Sequence, residues 1–508
     1  MASLSDIETR LFLNNEFVQG SSGRTFTLTN PATEKPSVSV HEADAADIEV
    51  AVKAAGAAWK PWVDLDAWKR AEAVSTLANL IVQNASKFAE LDALCMGTPV
   101  AIYGFQAMAA AGVLKYYAGI GADASGKTSL NTANHLNLTL KQPYGVTAAI
   151  IPWNTPMLIA CAAIGPAVMA GNAIIIKSSE KAPLSMLLLA KLVKESSLFP
   201  PGVIQFVSGF GASTGALLSS HPAIRKLAFT GSVNTGRIIK KLAADSNMKS
   251  VSLELGGKSP LIVFSDANIE KAAADAALSI ALLSGQTCIA SSRVYIHQDA
   301  MEAFKTQFIP TFQAILGKAG DPQDPSTTHG PQADSNQFGS VMGFIEAAKR
   351  DGLVPVAGGE AVPQEGYFLQ PTVFIDPPSD ADILRKEIFG PVVSLSTFLD
   401  EEEVLARAND TEYGLYASVY TKDIQRAIRL AKQLESGTVA INCTSPLMAF
   451  DIAFGGYKSS GDGRQFGQEG LEAWLEVSWP HLTASSVSKE VARRPGDMSL
   501  TSIRPRVF

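Results

Sequence analysis

The sequence predicts an α/β protein with two open parallel-sheet domains and a small additional module of β-strands. Its 508 residues exceed what a single hydrophobic core organises, about 250–300 residues, so at least two folding units are expected. From Val146 onward, short apolar runs alternate with helical patterns, and glycine and proline separate the segments. Alternation of this kind builds a parallel sheet with right-handed crossovers.

The segments before this alternation carry simpler patterns. Residues 11–28 alternate in polarity and predict short strands, whereas leucine and isoleucine recur at helical spacing over residues 62–94 and predict packing helices. Residues 131–142 again alternate apolar and polar side chains. They predict an exposed strand whose edge pairs with another chain, with an ordinary surface hairpin as the alternative.

Strands and helices alternate regularly between residues 146 and 256. The predicted strands are 148–151, 173–176, 203–207, 227–229 and 251–255. The predicted helices are 157–170, 183–196, 213–219 and 235–244. Because open sheets of this type bind ligands at the carboxyl ends of their strands, a dinucleotide site is expected there.

A second α/β series follows a boundary at Gly256-Gly257. It begins with a predicted strand over 261–264, a helix over 268–283 and a strand over 293–296, and it continues to about Asn442. One earlier stretch, 142–176, has no charged residue and the length of a membrane span. Its prolines and glycines divide it into strand, turn, helix, turn and strand, which favours a buried sheet.

The composition excludes several classes of protein. A net charge of −7 and the lack of a Lys/Arg-rich run argue against a nucleic-acid partner. The 4 cysteines show no paired spacing and the 6 histidines form no motif, so we expect neither a disulfide framework nor a metal. Acidic Asp6 and Glu8 and the absence of an apolar core argue against a signal or transit peptide. A cytoplasmic location is expected.

Several short motifs carry the chemistry. They are Pro152-Trp153-Asn154, Lys177-Ser178-Ser179-Glu180, Phe229-Thr230-Gly231-Ser232, Leu253-Glu254-Leu255-Gly256-Gly257-Lys258, Gly285-Gln286-Thr287-Cys288, Glu387-Ile388-Phe389-Gly390-Pro391 and Gly455-Gly456-Tyr457-Lys458. In this order, over about residues 10–478, they closely resemble the motifs of the NAD(P)-dependent aldehyde dehydrogenase superfamily. The resemblance implies a Rossmann-like NAD-binding domain (1–120 and 145–256), a catalytic domain (257–455), and an oligomerisation module with a C-terminal tail (121–144 and 471–508).

The resemblance also implies three catalytic residues. Cys288 matches the nucleophile that attacks the aldehyde carbon, and the Asn154 amide matches the donor to the resulting oxyanion. Glu254 matches the base that activates water to release the acid, and its neighbours Leu253 and Leu255 are expected to raise its pKa. A small buried thiol, a turn asparagine and a solvent-facing strand carboxylate are the structural alternatives for these residues.

The cofactor implied is NAD. The residues that match its binding site are Ile151, Pro152, Trp153, Lys177, Ser179, Glu180, Gly211, Phe229, Gly231, Ser232, Leu255, Glu387 and Phe389. A carboxylate at Glu180 accepts from the ribose 2′-hydroxyl and repels a 2′-phosphate, which favours NAD. Ser179 leaves NADP open, because small hydroxyl residues at this place occur in dual-specific relatives. The turn at Gly211 has the spacing G-x-G-x-x-x-G, which departs from the common dinucleotide fingerprint.

The substrate pocket is expected to be roomy and apolar. The residues assigned to it are Thr155, Ile159, Ala162, Thr287, Ile289, Cys443, Met448 and Phe454. No Arg or Lys in these stretches is placed to hold a second carboxylate, so the substrate is expected to be an uncharged aliphatic or aromatic aldehyde. Gln465 follows Arg464 where relatives more usually have a glutamate, which removes a carboxylate and is expected to alter the pH profile.

Other functions stay open at this point. A CoA-acylating aldehyde dehydrogenase is one alternative, which the presence of Glu254 disfavours. A catalytically silent relative that serves as a binding or structural protein is a second, and a cysteine hydrolase, for which no motif supplies a histidine base, is a third. The expected partners are a small-molecule aldehyde and further copies of the chain in a homodimer or homotetramer, with neither nucleic acid nor membrane.

Overall fold

A computed structural model describes residues 7–317, 319–446 and 449–483. The elements before the first long sheet are β1 (Leu11–Leu13), β2 (Glu16–Val18), β3 (Thr25–Asn30), β4 (Lys35–His41), α1 (Ala45–Val63), α2 (Ala67–Gln83), α3 (Ala85–Met96), α4 (Val100–Gly121), β5 (Thr128–Ser129), β6 (His135–Leu138) and β7 (Leu140–Pro143). Helix α1 begins with a capping box, in which Asp44 and Asp47 each accept a hydrogen bond from the other's backbone N–H.

The predicted alternation between residues 146 and 256 is confirmed. Its elements are β8 (Val146–Ile150), α5 (Pro156–Met169), β9 (Ala173–Lys177), α6 (Leu184–Ser196), β10 (Ile204–Val207), α7 (Ala216–Ser220), β11 (Lys226–Thr230), α8 (Val233–Ser246) and β12 (Ser250–Glu254). The five strands are parallel in the order β12-β11-β8-β9-β10, and β1 and β2 extend the sheet antiparallel beyond β10. The predicted helix 213–219 starts instead with a π-helical turn, Gly211–Gly215, which α7 follows.

The second series forms a separate sheet of six parallel strands. Its elements are β13 (Pro260–Val263), α9 (Ile269–Ala281), β14 (Arg293–His297), α10 (Met301–Leu316), α11 (Ser335–Arg350), β15 (Thr372–Ile375), α12 (Asp382–Arg385), β16 (Val392–Phe398), α13 (Glu401–Asn409), β17 (Tyr416–Tyr420), α14 (Ile424–Gln433) and β18 (Thr438–Ile441). The strand order is β15-β16-β14-β13-β17-β18. Together the two sheets give the predicted α/β class.

The last described residues return to earlier parts of the chain. They form β19 (Gly461–Asp462), α15 (Gly467–Glu472), β20 (Leu475–Ser478) and β21 (His481–Thr483). Strand β19 pairs with β12 and places Gly461 opposite Glu254, while β20 pairs with β7 and β21 pairs with β6. Strands within residues 121–144 therefore pair with strands within residues 471–483 in two small sheets, and residues 484–508 of the predicted tail lie outside the described part of the chain.

In the described residues, no single helix is long and apolar enough to cross a membrane. Helices α3 and α4 reach that length and apolarity only as a pair, and they bend by 118° at their junction. The uncharged stretch 142–176 is divided among β7, β8, α5 and β9, as its glycines and prolines predicted.

Candidate active site

The turn that carries Cys288 follows α9 and has a strained backbone. Leu283, Ser284 and Gly285 have successive φ angles of +50°, +56° and +78°. This left-handed conformation is unfavourable for the first two residues. A Cβ at Gly285 would lie 2.1 Å from the backbone oxygen of Gly390, so only glycine fits at that position.

Buried hydrogen bonds hold this turn. The Ser284 hydroxyl donates to the backbone oxygen of Gly330 at 2.6 Å. The Gln286 side-chain amide donates to the Leu283 carbonyl at 2.9 Å, and its oxygen accepts from the Ala333 N–H at 2.9 Å. Because these bonds offset the backbone strain, the turn presents Cys288 in a fixed position.

Asn154 lies against this turn. It belongs to the loop between β8 and α5, is buried, and donates from its side-chain amide to the Gln286 carbonyl at 2.9 Å. An amide NH₂ group has two N–H donors. The hydrogen bond to Gln286 uses one of them, and Asn154 lines the same cavity as Cys288.

Glu254 is the last residue of β12, and its side chain is only 4 % exposed. Neither carboxylate oxygen has a hydrogen-bond partner among the described residues. Burial raises the pKa of Glu254 well above its usual range, although the charge of Arg464 acts in the opposite direction. The predicted rise in the pKa is confirmed, and a carboxylate of this kind is a stronger base than an exposed one.

Cys288, Glu254 and Asn154 line one cavity of about 90 Å³, the inner chamber. Most of its other lining residues are apolar, and none of the described ones is Lys or Arg. Burial, together with the negative charges of Glu387 and Glu254, raises the pKa of the Cys288 thiol to about 12. The thiol is therefore protonated at neutral pH and needs a base to become a nucleophile.

The structure places most of the predicted pocket residues at the inner chamber. Those that line it are Thr155, Ile159, Thr287, Ile289 and Phe454. Ala162, one turn after Ile159 on α5, is buried and is not among the described residues that line the chamber. Cys443 lines a neighbouring cavity of about 540 Å³, the outer chamber, instead of the inner one. Met448 lies outside the described residues.

Sequence reasoning missed the residues that α4 contributes. Ile102, Phe105, Gln106 and Ala109 line the inner chamber from this helix. Helix α4 is apolar or small-sided nearly all round, so no periodicity in the sequence marks the face that meets the cavity. Gln465 also lines the chamber, and its buried side-chain oxygen has no partner among the described residues.

The residues matched to the adenosine ribose lie together at the end of β9. Lys177 is almost fully buried, its ammonium lies 3.9 Å from the Glu180 carboxylate, and it donates to the Ser178 carbonyl at 2.9 Å. Burial lowers the pKa of Lys177 to about 8, against the opposing charges of Glu180 and Glu42. The Ser179 hydroxyl accepts from the Lys181 N–H at 3.3 Å.

Ser232, which matches the pyrophosphate site, lies at the start of α8. Ser232 caps this helix by accepting from the Thr235 N–H at 3.3 Å, and a helix start of this kind attracts anions. A Cβ at Gly231 would lie 2.5 Å from the Phe229 ring, so the backbone passes very close to that ring. A Cβ on Gly236 of α8 would lie 2.9 Å from the Leu255 side chain, so Leu255 packs closely against this helix. Gly211, which matches the adenine side of the cofactor site, opens the π-helical turn before α7.

The residues matched to the nicotinamide half join the two sheets. Phe389 has a φ of +58°, and its ring packs edge-on against Trp153 with centroids 5.4 Å apart. The Glu387 carboxylate accepts from the Gly257 N–H at 3.0 Å, and burial raises its pKa to about 7. Ile151 and Pro152 precede Trp153 after β8, and the Ile151 N–H donates to the Lys177 carbonyl at 3.1 Å.

These groups fit a dinucleotide. A carboxylate and an ammonium can bind ribose hydroxyls, a helix start can bind phosphate, and an aromatic pair can pack against a flat ring. The left-handed Phe389 is held by Gln337 of α11, which donates to the Phe389 carbonyl at 2.7 Å. A strained, supported non-glycine residue beside a cleft is typical of a functional site.

Comparisons with known proteins agree with this geometry. The model of the aldehyde dehydrogenase family matches residues 17–479. The chain is 43 % identical over 472 residues to an aldehyde dehydrogenase of Emericella nidulans, covering 93 % of this chain and 94 % of that one. It is 40 % identical to the human mitochondrial aldehyde dehydrogenase, covering 92 % and 90 %. The NAD+ complex of an aldehyde dehydrogenase from Bacillus cereus superposes with a TM-score of 0.90 at 39 % identity, covering 94 % and 96 %.

Proposed function

This chain belongs to the aldehyde dehydrogenase family, and we propose that it oxidises an uncharged aliphatic or aromatic aldehyde to the carboxylic acid with NAD as the hydride acceptor. The observation that carries this proposal is the convergence of the Cys288 thiol, the Asn154 amide and the Glu254 carboxylate on the inner chamber. These are a nucleophile, a hydrogen-bond donor and a base, which aldehyde oxidation through a thioester requires.

Cys288 supplies the nucleophile. Its sulfur forms a bond to the carbonyl carbon, the carbonyl π electrons move onto oxygen, and the thiol proton leaves for Glu254. Because burial raises the pKa of Glu254, its carboxylate accepts this proton more readily than an exposed glutamate does. The product of this step is a thiohemiacetal with a negatively charged oxygen.

Asn154 stabilises that oxygen. The N–H that does not bind Gln286 donates to the oxyanion, and the backbone N–H of Cys288 is the second donor. Both donors are fixed before the reaction, since Asn154 is buried and hydrogen bonds hold the turn that carries Cys288. A preorganised donor of this kind typically lowers the barrier by about 3–4 kcal/mol.

Residues at the ends of β8, β9 and β11 hold the nucleotide. When bound there, NAD supplies the acceptor for the hydride that leaves the tetrahedral carbon. Lys177 and Glu180 would bind the adenosine ribose, Ser232 and the start of α8 would hold the phosphates, and Glu387 and Phe389 would hold the nicotinamide half. The Glu180 carboxylate favours NAD, and Ser179 leaves some use of NADP open.

Glu254 then completes the reaction. After it has released the thiol proton to solvent, its carboxylate takes a proton from water, the resulting hydroxide attacks the thioester carbon, and the C–S bond breaks to release the acid and the Cys288 thiolate. A CoA-acylating enzyme transfers the acyl group to a thiol and needs no such base, so Glu254 favours hydrolysis. Product analysis with and without CoA separates the two reactions: free acid in both mixtures supports hydrolysis, and acyl-CoA contradicts it.

The lining of the inner chamber supports an uncharged substrate. Its described residues include no Lys or Arg that would pair with a second carboxylate. The test is NADH formation on a panel of aldehydes with both NAD and NADP. We expect turnover of neutral alkyl and aryl aldehydes with NAD; comparable turnover of a dicarboxylic semialdehyde contradicts the substrate class, and no turnover of any aldehyde contradicts the function.

We also propose that the chain is a cytoplasmic homo-oligomer. Large apolar side chains are exposed on the module of residues 121–144 and 471–483, among them Leu130, Val477 and Leu482. Strand β5 ends its small sheet, so its open edge can pair with another chain. Light scattering coupled to size exclusion tests the assembly, with a monomer as the contradicting result, and imaging of a tagged chain tests the location.

A further inference from the structure

Lys181 directly follows Glu180 and binds a residue of the second α/β series. Its ammonium lies 2.7 Å from an oxygen of the Asp334 carboxylate. The two side chains are only 20 % and 25 % exposed, so solvent screens this ion pair less than one on the open surface. The pair therefore connects the loop after β9 to the start of α11.

The Asp334 carboxylate has a different partner at each oxygen. Its Oδ1 accepts from the Gln337 N–H at 2.8 Å and caps α11, while its Oδ2 binds Lys181. Gln337, in the first turn of that helix, donates from its side chain to the Phe389 carbonyl at 2.7 Å. Lys181 therefore orients the cap of the helix that supports the left-handed Phe389.

The Lys181 ammonium also lies over the ring of Trp153, 5.1 Å from its centroid. A cation in this position is attracted by the negative face of the ring. The same ring packs edge-on against Phe389. The contacts therefore close into a cycle, in which each residue touches the next: Lys181, Asp334, Gln337, Phe389 and Trp153.

The residues beside this ion pair are buried together. Ala182 and Ala333 belong to one apolar cluster, and Trp153 packs against that cluster. Because packing already fixes the backbone next to Lys181 and Asp334, the ion pair forms with little further loss of conformational freedom. It is therefore a lasting contact between the two α/β series.

We propose that Lys181 is a positioning residue for hydride transfer: through Asp334 and Trp153 it holds Phe389, and with it the nicotinamide end of the cofactor. This role rests on the function proposed above. Glu180 matches the adenosine ribose site, so the adenosine end stays in place when the Lys181 ammonium is lost, whereas Phe389 gains freedom to move. A displaced nicotinamide slows hydride transfer more than it weakens binding, because the rate depends steeply on the geometry of the reacting atoms.

The test uses Lys181→Met in the full chain, which keeps the length of the side chain and removes its charge. The first-turnover rate of NADH formation at saturating NAD is expected to fall at least about tenfold. It is measured by stopped-flow absorbance with propanal or benzaldehyde, whichever the wild type oxidises faster. The Kd of NAD is expected to rise at least about threefold, while the Kd of 5′-AMP, which probes the adenosine end alone, stays within about twofold of the wild-type value.

Two further variants show whether the charge of Lys181 is what matters. Lys181→Arg keeps the charge and is expected to restore most of the rate. Lys305→Met is the matched control, because Lys305 is 25 % exposed and lies 2.6 Å from Glu302 on α10. It is expected to keep the first-turnover rate and both Kd values.

Asp334→Asn tests the route through the helix cap. Asparagine also caps helices, so this variant keeps an acceptor for the Gln337 N–H and loses the charge that binds Lys181. The double variant Lys181→Met/Asp334→Asn is expected to be no slower than the slower single variant, since both changes break one interaction. Effects that multiply in the double variant overturn the route through Asp334.

The possible results separate this inference from the function on which it rests. A first-turnover rate of Lys181→Met within twofold of the wild-type rate overturns the positioning role, even where the variant has a lower Tm. An equal rise in the Kd of NAD and of 5′-AMP also overturns it. A wild type that binds NAD but oxidises neither aldehyde overturns the proposed function, and the two Kd values then still decide whether Lys181 holds the nicotinamide end.

Discussion

The side-chain amide of Asn154 donates a 2.9 Å hydrogen bond to the backbone carbonyl of Gln286, two residues before Cys288. This bond joins the loop after β8, in the first sheet, to the turn after α9, in the second. The two residues are 132 positions apart in the sequence. The proposed oxyanion donor and the proposed nucleophile are therefore held in place by a direct contact between the two parts of the protein.

Asn154→Ala is expected to lower kcat/KM about 10²–10³-fold, because one oxyanion donor is lost. Steady-state NADH formation measures the effect. Asn336→Ala, at an exposed position on α11, is the matched control and should keep wild-type activity. Unchanged kcat/KM in Asn154→Ala would show that the amide serves only to support the turn that carries Cys288.

Alkylation of Cys288 by iodoacetamide in the free enzyme is expected to accelerate almost tenfold per pH unit from pH 7 to pH 10. Burial raises the thiol pKa to about 12, so the thiolate fraction keeps rising over this whole range. Mass spectrometry of the Cys288 peptide measures the rate, and Cys288→Ala corrects for labelling at Cys443. A plateau below pH 9 would contradict the raised pKa.

Glu254→Gln is expected to keep a first burst of NADH and to lose steady-state turnover by at least about 10²-fold, because thioester hydrolysis lacks its base. Stopped-flow absorbance separates the two phases. The exposed Glu302→Gln is the control. Loss of the burst together with turnover would instead assign Glu254 mainly to activation of the Cys288 thiol.

Much of the fold could be predicted from the sequence because glycine and proline residues mark the ends of its elements. The run predicted as strand 173–176 is β9, Ala173–Lys177, since it is fully apolar and follows the left-handed Gly171 that ends α5. The helix predicted over 268–283 stops at Ala281, where the backbone of Leu283 and Ser284 becomes left-handed. Nothing in a leucine or a serine signals that conformation, so the turn was not predictable in detail.

The reactive residues of the site could be predicted from the sequence, whereas the residues that form the wall of the cavity were harder to predict. Cys288, Glu254 and Asn154 were found from their motifs, and the structure brings them to one cavity. Ala162 shares a helical face with Ile159, but α4 packs so closely on α5 that a Cβ at Gly165 would touch Tyr117 at 3.0 Å. This contact comes from a helix that is distant in sequence, so the sequence of α5 alone does not indicate which of its residues meet the cavity.

Gln465→Glu is expected to move the acid limb of the kcat profile to higher pH. Gln465 and Glu254 line the same chamber, and a new carboxylate there would raise the pKa of Glu254 further by repulsion. Since Glu254 must be deprotonated to act as a base, more enzyme is inactive at a given low pH. Gln468→Glu, exposed on α15, is the control, and superimposable profiles for Gln465→Glu and the wild type contradict the coupling.

Asp92→Asn is expected to stabilise the protein increasingly as pH rises from about 4 to about 7. Burial raises the pKa of Asp92 from 3.8 to about 7, against the hydroxyls of Ser185 and Tyr103, so in this window the folded state keeps a proton that the unfolded state releases. The titration of Asp92 therefore lowers the free energy of unfolding of the wild type by about 1.4 kcal/mol for each pH unit in this window. The asparagine of the variant does not titrate, so the variant does not lose this stability. Urea unfolding from pH 4 to pH 8 measures the difference between Asp92→Asn and the wild type, with the exposed Asp380→Asn as control. A difference that is constant over this range would contradict the raised pKa.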